Sequence, residues 1–118
     1  MHSLLNARTH GVLDYGTVAV FALAPALLGL GGLAATLSYG LAAVHLAMTL
    51  TTAFPLGAVA LVPFRLHGTV ELVVGAVLAV LGLAAFDGPA RAFFLAMGVV
   101  ILAVWAATDY ASAPVAAR

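Results

Sequence analysis

Polar positions are rare along this chain, and they recur at a fixed interval. Its long apolar runs are broken by Arg8-Thr-His10-Gly11-Val-Leu-Asp14 and again, 57 positions on, by Arg65-Leu-His67-Gly68-Thr-Val-Glu71. Each copy opens an apolar stretch, and each stretch is followed by a second one. The pattern predicts four apolar helices, near 12–31, 37–54, 69–86 and 92–107. Each is about as long as the ~20 residues that cross the hydrocarbon core of a bilayer. The fold expected is an all-α bundle of four transmembrane helices, built from two tandem helical hairpins, 6–55 and 63–112, with an interfacial linker at 56–62. A hairpin returns the chain to the side it started from. The two hairpins therefore run parallel, and both polar signatures fall at one depth on one side.

Local signals agree with these elements. Asn6 is suited to cap the first helix, and its counterpart Pro63 is suited to the first turn of the third. Pro55 is placed to close the second helix, and Asp87-Gly-Pro89 to turn the chain into the fourth. Pro25 lies inside the first span, where a proline is expected to kink it. Small residues such as Gly75, Ala79 and Gly82 allow close helix approach in lipid.

Composition identifies the solvent. Hydrophobic residues make up 65% of the 118 and charged residues 7%, against roughly 25% charged in a soluble domain. The chain reads as one integral membrane domain with lipid as its first partner. Net charge is zero and no basic tract exists, which argues against nucleic acid. Cysteine is absent, so no thiolate chemistry is available. Ala22-Leu-Ala24 resembles a signal-peptide cleavage site, but Asp14 interrupts the apolar run before it and Pro25 follows it directly. Arg8, Arg65 and Arg118 fall on one side of the four-span arrangement and Arg91 on the other. The positive-inside bias then puts both termini in the cytoplasm.

Ionisable groups within a span are costly and therefore informative. His10 and Asp14 are i, i+4 neighbours on one helical face, as are His67 and Glu71. The ends of the second and fourth helices reach the same layer, where a constant interval matches Thr52 with Asp109, followed by Tyr110. Two readings compete. In the first, Asp14, Glu71 and Asp109 neutralise Arg8 and Arg65 while His10 and His67 hydrogen-bond within a structural network. The arginine two residues before each histidine favours this one. In the second, His10, Asp14, His67 and Glu71 hold a transition metal such as iron, manganese or zinc. A proton or substrate pathway is a third use of the layer. His45 stands apart near the middle of the second span, with Leu102 as its counterpart and Thr49 and Thr52 on its face. It is expected to be a satisfied structural histidine, with a tetrapyrrole ligand as the alternative.

The stretch Arg8 to Tyr15, followed by an apolar helix with Pro25 and then Leu27-Leu28-Gly29, resembles small bacterial membrane proteins of the SPW-repeat type. Leu61-Val-Pro63-Phe-Arg65-Leu-His67 with Glu71 is similar to the segment that opens their second repeat. The Ser-Pro-Trp tripeptide reads Ala24-Pro25-Ala26 here, and the second copy reads Leu81-Gly82-Leu83. The resemblance implies the duplicated four-helix fold in a bacterial inner membrane and supplies no activity. Three functions follow in order of expectation: a non-enzymatic scaffold or accessory subunit in a homo-oligomer or larger complex; a metal- or haem-binding protein; and a small oligomeric transporter.

Overall fold

Asn6 starts the first helix as its sequence suggests, its side-chain oxygen accepting a hydrogen bond from the Thr9 amide at 2.9 Å. In this computed structural model, which describes residues 4–113, that helix is α1 (Ala7–Leu28), followed by α2 (Gly32–Leu50), α3 (Phe64–Ala84) and α4 (Gly88–Ala107). All four are long and apolar enough to cross a membrane. At 1.5 Å per residue, helices of 19 to 22 residues span about 29–33 Å, close to the ~30 Å hydrocarbon core. Arg118 lies outside the described residues, so its part in the expected orientation has no structural counterpart.

Each helix begins four or five residues earlier than its apolar run. The hydrogen-bond ladder takes in the polar first turn, which hydropathy alone leaves out. This difference decides the geometry below, because it puts His10 and His67 each at the fourth position of its helix. The second helix stops before Pro55, at Leu50, where the Thr51 amide closes it on the Ala47 and Met48 carbonyls. Pro89 does occupy the first turn of α4.

The segment expected to be a plain interfacial linker is folded. Two short strands, β1 (Thr52–Ala53) and β2 (Val62–Pro63), pair in parallel. Ala58 and Val59 donate to the Leu50 carbonyl at 2.7 and 2.9 Å, and Leu61 and Val62 donate to that of Thr51 at 2.9 and 2.8 Å. The last carbonyls of α2 are thereby satisfied without solvent, as a helix end at a membrane boundary requires. At the same end of the bundle, Leu5 pairs in parallel with Thr108.

Within each hairpin the helices pack along their length, α1 on α2 and α3 on α4, while contact between the hairpins is sparser. Glycine sets the α3–α4 distance. A Cβ on Gly98 would lie 2.6 Å from the Ala79 nitrogen and 2.7 Å from the Gly75 oxygen, so the two backbones touch. Phe21 and Phe93 meet edge to face at 5.8 Å across the hairpins. Leu27, Val44, Val80 and Val99 point outward, which is the expected state of faces that meet lipid.

Candidate metal centre

The first turns of α1 and α3 bring the two duplicated signatures face to face. Four ligand atoms, one each from His10, Asp14, His67 and Glu71, lie within 4.8 Å of one another, and all four residues are buried. His10 Nε2 stands 2.9 Å from Glu71 Oε1 and 3.3 Å from Asp14 Oδ1. His67 Nε2 stands 2.9 Å from Asp14 Oδ2 and 3.0 Å from Glu71 Oε2. Each imidazole thus addresses one oxygen from each carboxylate.

His45 joins them, contrary to the expectation that it stands apart. Its Nε2 lies 3.3 Å from Asp14 Oδ1 and 3.6 Å from Glu71 Oε2. That nitrogen faces two carboxylates, with only a small crevice beside it. The arginines are where the expectation fails most clearly. Arg8 and Arg65 are exposed, and among the described residues none of the ion pairs to Asp14 or Glu71 involves an arginine. At helix positions two before each histidine, their side chains point outward while the histidines point in. Asp109 is also outside the cluster, its carboxylate accepting from the Ala111 amide at 3.0 Å to cap a short 3-10 turn, Tyr110–Ser112.

The tautomer of two of the histidines follows by elimination. Thr108 Oγ1 donates its one hydrogen to the Val104 carbonyl at 2.6 Å, and Thr52 Oγ1 donates its own to that of Met48 at 2.6 Å. Each hydroxyl can then only accept. His10 Nδ1–H therefore donates to Thr108 at 2.8 Å, and His67 Nδ1–H donates to Thr52 at 2.7 Å. In the neutral ring this leaves the Nε2 lone pair aimed at carboxylate oxygens, which is repulsive unless positive charge lies between them.

Thr108 was missed from sequence because the spacing changes within the repeat. α1 has 22 residues and α3 has 21, so the interval is 57 at the start of each hairpin and 56 in its second helix. The counterpart of Thr52 is Thr108 and not Asp109, and that of His45 is Ile101 and not Leu102. Each histidine is held by the threonine of the other hairpin.

Aromatic rings close the site toward the nearby end of the bundle. Phe64 meets His10 at 5.2 Å, Tyr110 at 4.7 Å and Phe54 at 5.3 Å, and Phe54 lies 5.7 Å from His67. Gly68 makes room for this lid, since a Cβ there would come within 2.6 Å of the Tyr110 ring. Burial, and then the nearby Glu71 carboxylate, push the Tyr110 hydroxyl well above the usual tyrosine range, so it remains protonated.

Four buried side-chain atoms make no hydrogen bond among the described residues: His10 Nε2, Asp14 Oδ2 and Glu71 Oε1, which face the centre, and the Tyr110 hydroxyl in the lid. Orphans of this kind need an explanation, and an absent ion is one. The distances suit an ion. Bonds of about 2.1 Å meeting at right angles place two ligand atoms about 3.0 Å apart, and tetrahedral angles place them about 3.4 Å apart. The six nitrogen–oxygen separations run from 2.9 to 3.6 Å. Comparison of the chain with protein-family models, curated proteins and solved structures returned no match.

Proposed function

We propose that this is a metal-binding integral membrane protein that holds one divalent transition ion between its two hairpins, with His10, Asp14, His67 and Glu71 as ligands. The observation that carries the reading is the pair of threonine hydroxyls that can only accept. They hold both Nδ1–H groups and turn both Nε2 atoms onto two carboxylates with no arginine beside them. A histidine whose outer nitrogen is fixed by a hydrogen bond is the usual partner of a metal on its inner nitrogen. Charge supports the same reading: two carboxylates and one divalent ion, with neutral imidazoles, sum to zero where net charge is most costly. Imidazole with carboxylate suits iron, manganese or zinc.

The arginine–carboxylate network expected of this layer loses its cations, because Arg8 and Arg65 lie outside. The scaffold expected first from sequence rested on plain lipid-compatible faces, short loops and the lack of a nucleophile, and is the alternative to the metal reading. A metal-free form of the network has its own support: His67 to Glu71 at 3.0 Å and His45 to Asp14 at 3.3 Å satisfy hydrogen-bond geometry, as imidazolium–carboxylate pairs would. It leaves His10 Nε2 without such a bond. We place the protein in a bacterial inner membrane with the start of α1 and α3 on the cytoplasmic side, where exposed Arg8 and Arg65 suit lipid phosphates. The SPW-repeat resemblance belongs with this proposal, as does assembly into a homo-oligomer.

The test is elemental analysis of protein purified in mild detergent, without chelator or affinity metal. About one iron, manganese or zinc per chain is expected, with loss of the metal in the His10→Ala/His67→Ala double variant. A metal-free protein that also takes up none of these ions on reconstitution overturns the reading in favour of the imidazolium network.

A further inference from the structure

The duplicated design provides two equivalent approaches to the centre, one from α2 and one from α4, and the sequence treats them differently. α2 presents His45. The equivalent position of α4, with Gly32 and Gly88 as the matching helix starts, carries Ile101. A crevice of about 10 Å³ lies on that side, bounded by Asp14, His45, Glu71 and Ile101 and walled by Leu13 and Val104. That is room for about one water-sized molecule. Its outer rim includes Leu13, 38% exposed, Val100, 48% exposed, and Thr17, whose hydroxyl is turned back to donate to the Leu13 carbonyl at 2.8 Å, so it opens between α1 and α4 toward lipid. The aromatic lid of Phe54, Phe64 and Tyr110 blocks the other direction.

We infer that His45 supplies a fifth ligand to the ion and that the α4 side holds an exchangeable coordination position for one small neutral molecule entering from the apolar phase, of the size of dioxygen or nitric oxide. The inference rests on the metal reading above. His45 Nε2 stands from Asp14 and Glu71 at 3.3 and 3.6 Å, within the separations that neighbouring ligands of one ion show. With one oxygen from each carboxylate, three imidazoles and two carboxylates would leave one position of an octahedral ion unfilled. The residue facing that position, Ile101, has no atom able to ligate. A dissolved apolar gas partitions into hydrocarbon, and the crevice mouth faces hydrocarbon. A charged or large substrate fits neither the mouth nor the volume.

The experiment uses the full-length protein in mild detergent, loaded anaerobically with iron(II) and exposed to nitric oxide. Bound iron is measured by elemental analysis and the iron–nitrosyl adduct by electron paramagnetic resonance. The wild type is expected to give the half-integer-spin iron–nitrosyl signal. Val104→Phe should keep its iron and lose that signal, because the ring fills the crevice; Leu13→Phe closes the same space from α1 if the first variant does not fold. His45→Leu should retain the adduct with a shifted signal, and an unshifted one overturns ligation by His45. Iron without a nitrosyl in the wild type, or an undiminished nitrosyl in both crevice variants, overturns the open position while leaving the metal reading intact. Failure of the wild type to hold iron or any other of the three ions overturns both.

Discussion

Replacing Thr52 or Thr108 by valine removes the acceptor for one histidine Nδ1–H. The shape is conserved. The Met48 carbonyl keeps the Thr51 amide at 3.2 Å, whereas the Val104 carbonyl, in the last turn of α4, loses its hydroxyl donor at 2.6 Å, so Thr52→Val is the cleaner of the two substitutions. What remains is a buried N–H, formerly bonded at 2.7 or 2.8 Å, without a partner. Leaving such a group unsatisfied costs about 1–3 kcal/mol. Where the ring is a metal ligand, much of that cost falls on the bound state, because the ring must keep its orientation to reach the ion. Substitutions at such outer partners weaken metal binding by about 10–100-fold, which is about 1.4–2.8 kcal/mol at 1.4 kcal/mol per decade. The two routes agree. The assay is competition of the detergent-purified protein against a chelator of known affinity for zinc or iron(II). Each valine variant should bind about 10–100-fold more weakly, and Thr52→Ser and Thr108→Ser should restore most of the loss. Folded valine variants that bind as tightly as the wild type would refute the assignment of tautomers, and with it the main support for a metal.

Removal of the metal by chelator should lower the melting temperature. An ion present at a hundred times its dissociation constant stabilises the folded form by about 2.7 kcal/mol, so a melting curve unchanged by chelation counts against the site. Asp14→Asn and Glu71→Gln should each lose the metal, read by elemental analysis; stoichiometric retention in both would remove the carboxylates as ligands. Gly98→Ala should destabilise by about 1–3 kcal/mol through overpacking of α3 on α4. Gly16→Ala, where a Cβ meets nothing within 4 Å, should be neutral or gain up to about 1 kcal/mol, and equal melting shifts in the two would contradict the packing. Arg8→Ala and Arg65→Ala should each stay within about 0.5 kcal/mol of the wild type, as exposed positions do. A clear loss of thermal stability in both would bring back the arginine–carboxylate network.

The four helices were legible because lipid leaves few alternatives: a chain this apolar must satisfy its backbone internally, and the runs are the right length. His10, Asp14, His67 and Glu71 were legible for a related reason, since i, i+4 spacing fixes a shared face once the helix is granted. The partners of that face were not. Arg8 lies in the same turn as His10, and sequence proximity suggested a salt bridge. Two residues along a helix, however, turn the side chain through about 200°, which sends it away from the face that His10 and Asp14 share. His45 depended on the depth at which α2 ends. Carrying that helix on to Phe54 placed the histidine at mid-bilayer, whereas the true end at Leu50 and the folded β1–β2 loop bring it level with Asp14. Thr108 needed a one-residue change of interval that only the unequal lengths of α1 and α3 reveal.

In lipid there is no hydrophobic force to press one hairpin on the other. Backbone contact at Gly75 and Gly98 holds α3 to α4. Between hairpins the structure offers an apolar core in which Phe21, Ala24, Ala34 and Ala42 meet Leu78, Phe93, Phe94, Met97 and Ile101, the aromatic lid, a few terminal pairings and the cluster itself. Asp14 comes from one hairpin and Glu71 from the other, so without a cation their charges oppose the closure that the fold displays. On the proposed reading, an ion between them would reverse that sign and add to the packing that joins the hairpins. The same arrangement explains why a duplicated site benefits from unequal sides. If both approaches carried histidine, the ion would be enclosed and serve only as a rivet. His45 closes one approach, Ile101 leaves the other without a ligand, and on the proposed reading the crevice beside it would give the ion one route of contact with molecules dissolved in the membrane.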